Sequence, residues 1–299
     1  MNRNKVFITT SNGVYRIDPR TGEVRLALPR RRGWWIFRRG GMGFFGIDFH
    51  EKSGRVIAAS RERLGTPKKG KPTTDMKLYA IDPDSLRSEE IAEIRDVHDV
   101  HQIAITGDTV FITDCGLNRV PVYDLIAGEI VTTINIGTER EDINHVNAVH
   151  AGDDELLIGL NNRGERPAEI IRLDMGSLED PPDVIPARKE GEVIELDGIR
   201  HTHDIEPAGE RLLVCSSFEG NVYDAARGEK LFHVQDWTRG IAVGDSELWV
   251  GSSEMADRSK RHREDLDGAV HVFEADEPWR LIRSYQLEGA GQVNDIILV

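Results

Sequence analysis

The sequence predicts an all-β fold: a six-bladed β-propeller formed by residues 1–299 as one domain. Three observations carry this. A strand–turn–strand phrase recurs five times, and the two chain ends complete a sixth copy. Turn formers abound while aromatic residues are scarce, with 29 Gly and 6% Phe, Trp and Tyr, as expected of many short strands joined by turns.

Each copy opens with a polar residue before a short apolar strand. A turn with Gly and an acid follows, then a second apolar strand, a loop and a strand often ending in Asp. The copies span 44–82, 100–124, 146–174, 202–224 and 238–273. Their spacing fits the roughly 40–50-residue period of propeller blades. Strands are named A to D from the inside of the ring outwards. Strand D is the least regular: EIVTTINI at 129–136 and RLIRSYQL at 280–287 fit it, whereas SLRSEEIAEIRDV at 85–97 also suits a short helix. The sixth copy is split. VNDIILV at 293–299 reads as a strand A, and KVFITTSNGVYRID at 5–18 supplies B and C. Joining the chain ends in one blade hides the backbone groups that an open ring would leave unpaired.

Charge and cysteine content narrow the function classes. A formal net charge of −14 argues against general nucleic-acid binding. No stretch reaches membrane-spanning length, and the N-terminus reads as a strand, not a signal peptide. Cys115 and Cys215 sit in apolar strands and imply no disulfide framework, so a cytoplasmic protein with reduced thiols is expected.

The pattern resembles the six-bladed propellers of the gluconolactonase, regucalcin and NHL-repeat type over nearly the whole chain. TRGIAV followed by VGSSEMADR is similar to uncharacterised bacterial propeller families. Such a likeness implies a fold and does not by itself give a function.

Aligning the starts of the inner strands places Phe45, His101, Asn147, His203, Arg239 and Asn294 at one register around the channel mouth. Such residues can bond neighbouring blades and plug the channel. Two His, two Asn and an Arg at one register also suit a ligand or catalytic site. His101, His203 and Asn294 alternate round the ring and converge on the axis. Imidazole nitrogen and amide oxygen bind a divalent ion, here Zn, Mn or Fe with Ca as an alternative, and Asn147 is a possible fourth ligand. The arrangement resembles that of the peptidyl-hydroxyglycine lyases, in which alternate blades each give one His; His101 and His203 match and Asn294 departs from it. Gluconolactonases use a carboxylate and amides near the axis. Asn147 and Asn294 match the amides, and no acid holds the ring register. Asp204 and Asp295, one residue later, are expected to point away from the channel and tie blades together.

His98, His145 and His201 lie in the approaches to the inner strands, as a second shell or a proton-transfer set, or as rim hydrogen-bonding groups. Arg239 is the anion-binding candidate, with a structural salt bridge as the alternative. Three basic clusters map to loops over the same face: Arg30–Arg32 with Arg38 and Arg39; Lys68, Lys69 and Lys71; Arg258, Lys260, Arg261 and Arg263. Arg31, Arg32 and Arg258, with Trp34 and Trp35, are the expected substrate-binding set. Glu254 is a general base, a metal ligand or a surface ion-pair member.

Two functions follow. One is a metal-assisted hydrolase or lyase acting on a small anionic substrate, with Arg239, His145, His201 and Glu254 catalytic. The other is a non-catalytic module whose basic, aromatic face binds a partner protein or an anionic glycan. Neither involves nucleic acid or a membrane. No G-x-S-x-G elbow, P-loop or zinc-type cysteine pair is present.

Overall fold

The computed structural model describes residues 4–30, 40–63, 74–137, 142–178, 181–234, 237–256 and 266–299. Six antiparallel sheets form the blades of a propeller. Their inner A strands, in blade order, are Val293–Leu298, Gly40–His50, Val100–Thr106, Val146–Ala151, Thr202–Ala208 and Trp237–Val243. Blade one closes the ring. Its C-terminal inner strand pairs with Val6–Thr10, followed outwards by Gly13–Ile17 and Val24–Pro29.

Each blade buries both faces, so its strands are apolar runs rather than strict alternations. Six apolar clusters result, one at each junction between consecutive blades. Trp249 of blade six illustrates them: it is fully buried, stacks on Tyr285 at 5.7 Å, and packs with Val6, Ile8 and Val293 of blade one. Each such aliphatic side chain contributes about 1.5–3 kcal/mol by leaving water.

The outermost strand of blade two, Ser88–Ile94, is extended and pairs with Thr74–Ile81. The helix considered for 85–97 does not form. Sheet pairing, with Lys77 reaching Glu90 at 2.8 Å across the strands, overrides the helical leaning of its Glu and Ala residues. Blade three gains a fifth strand, Val184–Pro186, which leaves blade four and pairs in parallel with Glu129–Asn135. Cys115 and Cys215 are buried free thiols, and burial pushes both well up from the ordinary value. Among the described residues, no helix is long and apolar enough to cross a membrane.

Every inner strand carries a register shift near its start, at Phe44/Ile47, Val100/Ile103, Val146/Ala148, His203/Ile205 and Thr238/Ile241, and opposite Thr9/Thr10 in blade one. A bulge re-aims side chains, and here it turns two successive residues toward the axis. The Thr113 hydroxyl stabilises one bulge by accepting from the backbone N–H groups of both His101 and Gln102, at 3.0 and 2.8 Å.

This corrects the expectation for Asp204 and Asp295. They do tie blades together, but they point into the channel. Asp204 takes a left-handed conformation, φ 64°, which breaks the alternation on which the expectation rested. The Gln102 amide donates to Asp204 at 2.8 Å and to Asp295 at 3.3 Å, while its oxygen accepts from the Val149 N–H at 2.9 Å. Asp204 also accepts from the Ile241 N–H, and Asp295 from that of Ile47. These three side chains, from blades one, three and five, plug the channel. The matching positions of blades two, four and six are Gly46, Ala148 and Gly240. A Cβ on Gly46 would lie 2.4 Å from the Ile103 nitrogen, and Gly240 has φ 79°. Alternate large and small residues therefore fill an axis too narrow for six long side chains.

Burial raises the carboxyl of Asp204, and burial with the neighbouring Asp204 charge holds that of Asp295 well above the ordinary range. Burial also pushes Asp48 and Asp114 up to about 6. These groups bind protons more tightly folded than unfolded. Their contribution is complete below the unfolded carboxyl value of about 4 and is lost as pH rises through about 6 and beyond. His98, His101, His150 and His201, each held by burial below its ordinary value, act in the opposite sense, so the plug is read by difference: Asp295→Asn should cost more resistance to urea at pH 5.5 than at pH 7.5. A cost of Asp295→Asn that is equal at the two pH values, or larger at pH 7.5, would contradict this account of the plug.

Candidate functional site

A cavity of about 420 Å³ opens above the plug, at the end of the channel where the inner strands begin. That volume lies within the range of small-molecule sites. Two tiers line it. The lower tier holds the bulge residues Phe45, His101, His203 and Arg239. The upper tier lies two residues earlier in the chain and includes His145, His201 and Trp237. His145 and His201 are left-handed, φ 50° and 54°, as is Asp99 at the matching position of blade three. Non-glycine residues rarely adopt this conformation, and they cluster at functional sites. Here it directs the approach to each inner strand over the mouth.

The two tiers bring three imidazoles together. One ring nitrogen from each of His101, His145 and His203 lies within 4.8 Å of the other two. The His101 and His145 rings meet edge to face at 5.0 Å, and His101 stands 6.0 Å from His203. Hydrogen bonds fix the tautomers of two of them. His145 Nδ1 faces the Asp142 carboxylate at 3.0 and 3.1 Å. A carboxylate accepts, so this nitrogen carries the proton and Nε2 carries the lone pair. His203 Nδ1 faces the His201 carbonyl at 3.2 Å and the Ser217 hydroxyl at 2.7 Å. Ser217 donates to the Thr238 carbonyl at 2.7 Å, so its oxygen accepts from His203 and again Nε2 holds the lone pair. The His101 ring nitrogens make no hydrogen bond among the described residues. Burial holds the proton affinity of His101 well below the usual value, reinforced by Arg61, His145, Arg239 and His203. It is a neutral ligand-type imidazole at neutral pH.

Asn147, at the matching register of blade four, is buried and is not among the residues lining the cavity. Its amide donates to the Thr202 carbonyl at 2.7 Å, while Oδ1 has no hydrogen-bond partner among the described residues. A buried acceptor left so calls for a water, an ion or a ligand. Asn294 behaves differently. It donates to the Phe44 carbonyl at 2.7 Å and accepts from Arg239 at 3.5 Å, so it bridges blades one, two and six. His145, placed among the catalytic residues by the sequence, is thus the third imidazole of the cluster.

Two buried guanidinium groups share the cavity. Arg239 lies over the Trp237 ring at 5.1 Å. Arg61, which the ring register did not single out, lies over Phe45 at 3.7 Å, pairs with Asp99 and donates to the Val100 carbonyl. Its side chain sits at the mouth because strand B of blade two, Arg55–Arg63, runs on beyond the inner bulge. Phe218 and Trp237, 4.4 Å apart, form an aromatic wall, and the His201 ring meets Phe218 at a tilt, 4.3 Å between centroids. Asp142 is shared between His145 and Arg163, the latter at 2.8 Å. Glu254 is exposed and is not among the residues lining the cavity. Arg31, Arg32, Trp34, Trp35 and Arg258 lie outside the described residues, as does most of each basic cluster.

Comparison with known proteins supports the fold. No protein-family model and no curated protein matches the sequence. Solved structures do match. The crystal structure of a nidogen/laminin complex superposes with a TM-score of 0.61 at 10% identity, covering 98% of this chain and 97% of that one. A protein of unknown function from Bacteroides caccae gives 0.60 at 14%, covering 99% and 98%. A candidate 6-phosphogluconolactonase from Bacteroides uniformis gives 0.56 at 13%, covering 93% and 80%. These likenesses establish the six-bladed propeller and leave the chemistry to the site.

Arg61 is buried and Asp99 only 19% exposed, so removing the guanidinium leaves a poorly solvated carboxylate without this ion pair. Arg61→Met should cost about 3 kcal/mol in urea unfolding, and Arg61→Met with Asp99→Asn should recover part of it. A cost below about 1 kcal/mol would show that the pair is solvated.

Proposed function

We propose that this protein is a metal-assisted hydrolase or lyase acting on a small anionic substrate at the channel mouth. The observation that carries the reading is the three-imidazole cluster, with two of its tautomers fixed from behind. Nitrogens on one tetrahedral zinc, each about 2.1 Å from it, stand roughly 3.4 Å apart. The separation of up to 4.8 Å in the cluster closes to that value with small ring movements. His101, His145 and His203 are the ligands in this reading, and Asn147, with its buried Oδ1, stays a candidate fourth ligand from the ring register. The sequence-based set of His101, His203, Asn294 and Asn147 is revised by replacing Asn294 with His145.

Zinc, manganese and iron all accept such imidazole ligands, and a divalent ion here supplies Lewis-acid polarisation of a carbonyl or ester. Asp142 and Ser217 hold His145 and His203 in the ligating tautomer. Arg239 binds the anionic end of the substrate through its fixed fork of donors. Phe218 and Trp237 shield one side of the cavity from water. His201 lines the same cavity outside the cluster and is placed to exchange a proton with bound substrate.

Metal analysis of the purified, untagged protein by inductively coupled plasma mass spectrometry tests the reading. About one Zn, Mn or Fe per chain is expected, and the His101→Ala, His203→Ala double variant should lose it while keeping its circular dichroism. Asp142→Asn should weaken zinc binding about 10–100-fold in competition with a chromogenic chelator. No metal in wild type after reconstitution, or full retention by the double variant, would overturn the assignment in favour of a non-catalytic binding module.

A further inference from the structure

The cavity has two electrostatically distinct halves. The arc of blades three to five carries the three imidazoles. It also carries both lining carboxylates among the described residues, Asp142 and Glu165, at blade four, where the exposed Arg163 pairs with Asp142. The opposite arc, blades six, one and two, is lined by Trp237, Arg239, Gln292, Ser11, Phe45 and Arg61. It holds two guanidinium groups, an amide and a hydroxyl; Asp99, the acid paired with Arg61, stands behind it and is not among the described lining residues. Arg61 and Arg239 flank blade one, and each is only 4% exposed. Both are held in place, Arg61 by Asp99, the Val100 carbonyl and the Phe45 face, Arg239 by Asn294 and the Trp237 face. Rigid, buried donors of this kind lose little freedom on binding an anion and act where water is scarce.

The setting makes the pocket selective. A chain of net charge −14 repels anions in general, so affinity for an anion must come from a local concentration of positive charge. Guanidinium groups bind planar carboxylate and tetrahedral phosphate by the same paired hydrogen bonds.

We infer that the arc of blades six, one and two is an oxyanion pocket with Arg61 and Arg239 as its two jaws. The substrate class is then a small carboxylate- or phosphate-bearing molecule whose carbonyl or ester lies across the mouth against the imidazole arc. The position of the reacting group rests on the metal reading above; the oxyanion pocket does not. Arg61 joins the substrate-binding residues, and the oxyanion is separated from the bond that changes by the width of one small molecule.

Isothermal titration of EDTA-treated protein with inorganic phosphate and, separately, acetate tests this. At least one anion should bind to the metal-free protein. Arg239→Gln and Arg61→Gln should each weaken it tenfold or more, while Lys52→Gln at the opposite channel mouth leaves it within twofold. Arg61→Lys, which keeps the charge opposite Asp99, serves if Arg61→Gln fails to fold, and should still weaken binding because the paired donors are lost. A tenfold preference for phosphate assigns a phosphorylated substrate, and the reverse preference a carboxylate. Absence of binding by both anions, or binding indifferent to both arginines, would overturn the oxyanion pocket. Metal content measured on the same samples keeps that failure distinct from failure of the imidazole site.

Discussion

Six twisted sheets meeting at one axis leave little room there, and the bulge near the start of each inner strand decides which side chains use it. In a regular strand, alternation would send one residue to the channel and the next into the packing between blades. The bulges bring two successive residues inward, so each blade contributes to the mouth and to the plug from adjacent positions. His101 and Gln102 show the division, as do His203 and Asp204. The first of each pair lines the cavity, and the second closes the channel beneath it. Without the Gln102–Asp204–Asp295 layer the cavity would have no floor.

Positive φ plays the complementary part above the bulge. His145 and His201 are turned over the mouth by left-handed backbone, and that conformation is held by pairing. The Asn161 N–H donates to the His145 carbonyl, and the Ser217 N–H to that of His201. Ser217 therefore acts twice, through its backbone on His201 and through its hydroxyl on His203. A site assembled this way has its backbone and two of its three imidazoles held from behind. Its imidazoles are oriented by Asp142, Ser217 and the blade frame before any ligand arrives, which lowers the cost of ordering them on binding.

Much of this could be read from the sequence. The repeats and the split blade follow from hydrophobic patterning, because every blade obeys the same burial rule. The register of Phe45, His101, Asn147, His203, Arg239 and Asn294 follows from aligning them. The bulges were not legible, since an extra residue in a strand leaves the apolar pattern nearly intact; hence Asp204 and Asp295 were given the wrong direction. The alternation of Asp295, Gln102 and Asp204 with Gly46, Ala148 and Gly240 was a usable signal for the plug. His145 was found, but in a proton-transfer or second-shell role, because a left-handed approach residue has no sequence mark. Arg61 carries no mark in the ring register because it lies on strand B, and Trp237 and Phe218 lie outside the long basic loop that holds Trp34 and Trp35.

Crystallographic anomalous scattering from protein soaked in zinc or manganese tests the account's central claim most directly. A single strong peak about 2.1 Å from one nitrogen each of His101, His145 and His203 is the predicted result. A peak held by Asn294 in place of His145, or none in the channel mouth, would contradict the account.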